Sequence, residues 1–167
     1  MKTIILTRHA KSSWNTDSAT DFERPLNKRG FDDAPVMAKR LLEHGPLPQL
    51  VISSTAKRAH QTAELLMREL ALDQKLLTTT DSIYEVPARD LINQMKQLPA
   101  DADIAMIIGH NPAMSSACSY LSKDADMQMS TLAMVCMELD VEDWEDIYPD
   151  CGTLRWYDYP KKHTGKP

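Results

Sequence analysis

Lys2-Thr3-Ile4-Ile5-Leu6-Thr7-Arg8-His9 decides the reading of this chain. A run of strand-forming apolar residues ends on a guanidinium and an imidazole. The same arrangement returns further on, where Ile104-Ala105-Met106-Ile107-Ile108-Gly109 runs into His110. Each apolar run is followed by a segment that reads as a helix. Strands alternating with helices give an α/β fold, and ligands in such folds bind beyond the carboxyl ends of the strands. Both histidines therefore fall where a site is expected.

The rest of the chain fits that alternation. A helix over roughly 30–44 places Ala34, Ala38, Leu41 and Leu42 on one face, and Gly45-Pro46 stops it. Pro35 leaves its start open: the helix either begins near Asp32-Asp33 or bends at the proline. Leu50-Val51-Ile52 reads as a short buried strand. A helix over about 55–71 follows, burying Ala59, Ala63, Leu66 and Leu70. Residues 76–80 form another strand, and Leu91, Ile92, Met95 and Leu98 mark the next helix. Pro112 suits the first turn of a helix burying Met114, Cys118 and Leu121.

After Ser122 the pattern changes. Residues 130–139 and 152–159 read as two strands joined by an acidic stretch, an antiparallel pair closing an otherwise parallel sheet. The expected architecture is a three-layer sandwich. Its central sheet is mainly parallel, with one antiparallel strand near the C-terminus and helices on both faces. Residues 1–160 form one domain in this reading, and 161–167 a flexible tail.

Composition narrows the classes of function. A net charge of −5 disfavours nucleic acid as the main partner, although a positive pocket can sit within an acidic surface. Cys118, Cys136 and Cys151 are odd in number and lack CxxC spacing, which suits reduced thiols in the cytoplasm. The apolar start before Arg8 is too short for a signal peptide or a membrane span. The five glycines are scattered, so neither a GxGxxG nor a GxxxxGK[ST] phosphate loop is present. His9, His60 and His110 lie far apart without an HExxH or a Cys/His cluster, so no metal or other cofactor is expected.

His9 alone reads equally well as a structural histidine at a strand end, and so does His110. Their shared place at one sheet edge favours a site. Arg58 strengthens it, because the strand at 50–52 leads through Ser53-Ser54-Thr55 into a helix whose first turn holds that arginine. A guanidinium and helix amide groups would then face the same crevice. Two imidazoles beside two arginines suit phosphoryl chemistry.

Four segments in order then carry a family resemblance: Arg8-His9-Ala10-Lys11-Ser12-Ser13-Trp14, Asp21-Phe22-Glu23-Arg24-Pro25-Leu26, SSTAKRAHQT at 53–62, and Gly109-His110-Asn111-Pro112. Together they resemble the histidine phosphatase superfamily, with its phosphoglycerate-mutase-like fold, and within it the SixA-type phosphohistidine phosphatases. The resemblance spans nearly the whole chain. Ala10 departs from the superfamily's more common glycine, a small-for-small exchange. The resemblance implies His9 as nucleophile, with Arg8, Arg58 and His110 around the phosphoryl oxygens. It implies a proton donor at Glu85. Asn15 and Arg24 would contact phosphate or substrate, although Arg24 reads equally as an ion-pair partner of Asp21 or Glu23. His60, two residues after Arg58, points elsewhere on its helix and reads as a surface residue.

The implied activity is a metal-independent phosphatase acting on phosphohistidine of a protein. Two alternatives stand beside it. One is a small-molecule phosphomonoesterase or mutase of the same fold, and the other a catalytically silent module binding a phospho-ligand or a protein. The expected partner is a phosphorylated protein or small molecule, with neither nucleic acid nor membrane.

Overall fold

The structure, a computed structural model, describes residues 1–14 and 20–165. Six strands form one sheet: β1 (Lys2–Arg8), β2 (Leu50–Ser54), β3 (Leu77–Thr80), β4 (Ile104–Gly109), β5 (Met134–Leu139) and β6 (Gly152–Asp158). Their spatial order is β3-β2-β4-β1-β5-β6. β3, β2, β4 and β1 are mutually parallel, and β5 runs antiparallel to both β1 and β6. The mainly parallel sheet with one reversed strand near the C-terminus is the architecture expected from the sequence.

Helices cover both faces because alternate strand residues are apolar in both directions. Ile4, Leu6, Ile107, Val135 and Met137 pack with α3 (Ala88–Lys96) and α4 (Ala113–Leu121). Ile5, Met106, Ile108, Met134 and Cys136 pack on the other face with α1 (Lys28–His44) and α2 (Lys57–Glu69). All these strand residues are essentially inaccessible to water. No helix among the described residues is long and apolar enough to cross a membrane.

α1 starts earlier than the sequence pattern suggests. Asn27 caps it, its side chain accepting from the Gly30 amide, and Pro35 lies inside the helix. Gly30 lets this first turn lie against the loop after β1, since a Cβ there would collide with the Lys11 carbonyl oxygen. The helix is thereby seated directly under the segment that follows His9.

The three cysteines are unpaired and buried, and burial pushes Cys118 up to about 12 and Cys136 up to about 11. They are inert thiols filling the core. After β6 the chain forms a one-turn helix, α5 (Lys161–Thr164). Its anchor is Asp158, 1% exposed, whose carboxylate bonds His163 Nε2 at 2.5 Å and His44 Nε2 at 2.9 Å. The Tyr159 amide also donates to it, and Trp156 stacks on His44 with ring centroids 4.5 Å apart.

Burial alone would raise the Asp158 carboxyl. The hydrogen bonds from His44, His163 and the Tyr159 amide outweigh it and hold the group below the usual carboxylate range. Its contribution to stability is therefore present above the unfolded value of about 4 and lost as pH falls through the lower folded value. Asp158→Asn should cost about 1–3 kcal/mol near neutral pH. Urea unfolding of variant and wild type at several pH values reads this directly, and the difference should shrink in strong acid.

Candidate active site

The parallel register of β1 and β4 pairs Arg8 with Gly109, so the residue after each strand is a histidine at the same level. The His9 amide donates to the Gly109 carbonyl at 3.0 Å, and the Leu132 amide donates to the His9 carbonyl at 3.1 Å. The backbone of His9 is thus held by β4 on one side and by the turn before β5 on the other. The two imidazole rings lie 5.2 Å apart between centroids. His9 is 6% and His110 7% exposed.

Around them opens a cleft of about 540 Å³, lined by Arg8, His9, Arg24, Arg58, Glu85 and His110 among others. All the sequence-predicted site residues that fall within the described residues meet there. Asn15 lies outside the described residues.

His9 Nδ1 lies 2.7 Å from the Ala10 carbonyl oxygen. A carbonyl only accepts, so Nδ1 carries the proton and Nε2 keeps its lone pair. Burial lowers His9 to about 3. The Ala10 carbonyl opposes that shift, and His110, Arg58 and Arg8 add to it. At neutral pH the ring is therefore neutral and nucleophilic. Behind it, the Ala10 amide donates to Thr62 Oγ1 at 3.0 Å, and that hydroxyl donates to the Arg58 carbonyl at 2.7 Å. One threonine thereby ties the loop after His9 to the helix carrying Arg58.

The arginines are aimed by partners far away in sequence. Arg8 Nη1 donates to the Met129 carbonyl at 2.9 Å. Arg58 donates through Nη1 to the Asp21 carbonyl at 2.8 Å and through Nη2 to Asp21 Oδ2 at 3.0 Å. Asp21 also accepts from Arg24 Nη1 at 3.0 Å and from the Tyr84 hydroxyl at 2.8 Å. Burial would raise the Asp21 carboxyl, yet Tyr84, Arg58 and Arg24 together hold it below its ordinary value. It is a fixed anion that fastens two cations to the rim.

Arg24 lines the cleft while its donors go to protein acceptors: Ser13 O, Ser12 Oγ and Asp21. Its guanidinium also lies 3.4 Å from the centre of the Trp14 ring. This geometry favours the ion-pair reading of Arg24 over direct contact with substrate. His60 sits on the surface side, its Nδ1 3.1 Å from Glu64.

Three nitrogens of the cleft residues are buried without a protein partner among the described residues: Arg8 Nε, Arg58 Nε and His110 Nδ1. Buried polar groups are nearly always satisfied, so three such atoms on residues of one cleft single it out as a candidate site for an acceptor-rich ligand. Two guanidiniums alongside suit an anion there. Burial lowers His110 to about 4, with Arg58 the largest charge acting the same way.

Glu85 is exposed and takes φ of 50°, a left-handed conformation unusual for a residue with a side chain. Ala71, Leu132 and Asp150 share that setting, so it is the place of Glu85 in the cleft lining that makes its carboxylate a candidate. Reading the sequence missed Asp21 as a hub, Tyr84, Ser54 and the Met129 carbonyl. Only Asp21 carried a signal, its spacing of three from Arg24.

Comparison with known proteins gives the fold and the family. An Arabidopsis thaliana protein described as uncharacterized and chloroplastic is 32% identical over 161 residues, 92% of this chain and 73% of that one. A protein from Nakamurella multipartitia, whose structure bears the name phosphohistidine phosphatase SixA as an assignment, shares the fold. The TM-score is 0.82 at 21% identity, over 95% of this chain and 96% of that one. The protein histidine phosphatase SixA complexed with tungstate gives 0.76 at 22% identity, over 96% and 98%. The family model of the histidine phosphatase superfamily (branch 1) matches residues 4–90, a span that holds Arg8, His9, Arg58 and Glu85. The chain belongs to the histidine phosphatase superfamily, branch 1.

Proposed function

We propose that this protein is a phosphatase that forms a phosphohistidine on His9, needs no metal ion and acts on phosphohistidine carried by a protein. The observation that carries the reading is the trio of unpartnered buried nitrogens beside a neutral imidazole whose Nδ1 is already bonded. His9 Nε2 attacks phosphorus, and the bond from phosphorus to the substrate's imidazole nitrogen breaks. That imidazole takes the electron pair and leaves neutral when its distal nitrogen holds a proton. Arg8, Arg58 and His110 meet the charge on the equatorial oxygens. Water then attacks phosphorus and gives a proton to solvent. His9 leaves neutral because its own proton stays on Nδ1, which donates to the Ala10 carbonyl, and phosphate is released.

The described rim supports a substrate presented on a protein surface. Trp14 at its edge is 75% exposed, and small metabolites gain affinity by being enclosed. The carboxylate of Glu85 favours the second reading, a small-molecule phosphomonoesterase, because oxygen leaving groups need a proton.

The test sets a phosphohistidine protein beside an aryl phosphate, each with and without exhaustive chelation. Phosphohistidine should give the higher kcat/KM, and activity should survive chelation because two guanidiniums supply the positive charge. Vanadate, which takes a five-coordinate geometry, should compete with substrate. Activity that returns only with added metal would refute the metal-free assignment. A preference for the aryl ester would refute the substrate.

A further inference from the structure

His110 has two ring nitrogens in different circumstances. Nε2 lies 2.8 Å from Ser54 Oγ, at the end of β2, while Nδ1 is buried and unpartnered. Which nitrogen holds the proton decides whether this ring can donate to a phosphoryl oxygen. A bare Nδ1 would present a lone pair to an anion.

Ser54 settles that choice through its own surroundings. It is 0% exposed, so its hydroxyl proton cannot go to bulk water. Its oxygen already accepts from the Ala56 amide at 3.2 Å, the turn that leads into α2. Among the hydrogen bonds of the described residues, the acceptor within reach of that hydroxyl proton is His110 Nε2. If Nε2 donated instead, a fully buried hydroxyl proton would be stranded, at a cost of about 1–3 kcal/mol.

We infer that Ser54 is a positioning residue: its hydroxyl donates to His110 Nε2 and so keeps the imidazole proton on Nδ1, as a donor to the phosphoryl group. The assignment rests on the phosphatase reading of the cleft. It also gives the short run Ser53-Ser54-Thr55 a purpose beyond connecting β2 to α2. The Ala56 amide orients Ser54, and Ser54 orients His110. Arg58 follows two residues after Ala56, so one turn aims both a guanidinium and an imidazole.

The experiment is nitrogen NMR of protein with labelled histidine rings, run beside kinetics. Wild type should show His110 protonated on Nδ1 and bare on Nε2 near neutral pH. Ser54→Ala should move part of that population to Nε2–H and lower kcat by about 10–100-fold, the order lost when a supporting hydrogen bond behind a working imidazole is removed. Ser54→Thr keeps the hydroxyl and should restore both the proton position and most of the rate. A wild-type His110 protonated on Nε2, or a Ser54→Ala spectrum unchanged from wild type, overturns the assignment. The wild-type spectrum alone can do this, whatever the variants' folding. Turnover that survives His9→Ala would refute the underlying phosphatase reading, a separate result from a misplaced proton on His110.

Discussion

His9→Ala is expected to fold and to lose turnover by at least about 10⁴-fold, the order seen when a covalent nucleophile is deleted. Rapid quench of wild type with labelled substrate should trap phosphate on His9 in an acid-labile, base-stable form, which marks a bond to nitrogen. The same substitution has a second expected effect, on stability. In the unfolded chain His9 titrates near 6.5, whereas in the folded protein it is lowered to about 3. Below pH 6.5 the unfolded state binds the proton and the folded state does not, so acid favours unfolding. Removing the ring deletes that penalty. Relative to wild type, His9→Ala should therefore gain stability as pH falls from 6.5 toward 3, measured by urea unfolding across that range. Near-normal turnover in the variant would rule out His9 as nucleophile. A pH dependence of stability identical to wild type would show that burial does not depress the imidazole.

The second large effect separates leaving groups. An alkoxide leaving group requires a proton in the transition state, and a positioned acid supplies roughly 10²–10⁴-fold. A protonated imidazole departs neutral and needs little help. Glu85 lines the cleft with His9, Arg58 and His110, on a backbone held at φ 50°. Glu85→Gln should therefore reduce kcat/KM on an alkyl phosphate by about 10²-fold or more while changing phosphohistidine hydrolysis by only a few-fold. Equal losses on both substrates would assign Glu85 to positioning of substrate or loop. No loss on either would place the carboxylate outside the reaction.

The strand-then-histidine segments and Arg58 were legible in the sequence because each depends on local pattern. An apolar run fixes a strand, and the next residue must then emerge at its end. The helix faces were legible for the same reason. Asp21 was visible only as a neighbour of Arg24, because its bonds to Arg58 and Tyr84 cross 37 and 63 residues. The Ser54–His110 bond crosses 56 residues and the Arg8–Met129 bond 121. Such pairs exist only once the strand order and register are set. The start of α1 was misplaced by two residues because its cap is a single asparagine three positions before a glycine, a weak pattern against Pro35. α5 was missed because four residues carry no periodicity, and its hold comes from a buried carboxylate on the adjacent strand.

The pairing of Arg8 with Gly109 has a consequence for how mutations act. Moving either strand by one residue would send each side chain to the opposite layer, against packing shaped for its neighbour, so the register is held by fit on both faces. The distance between the two imidazoles is thus inherited from the packing of Ile4, Leu6, Ile107 and their neighbours rather than tuned by loops. Ile107→Val should therefore cost about 0.5–1.5 kcal/mol of stability and leave kcat close to that of wild type, read by urea unfolding beside turnover.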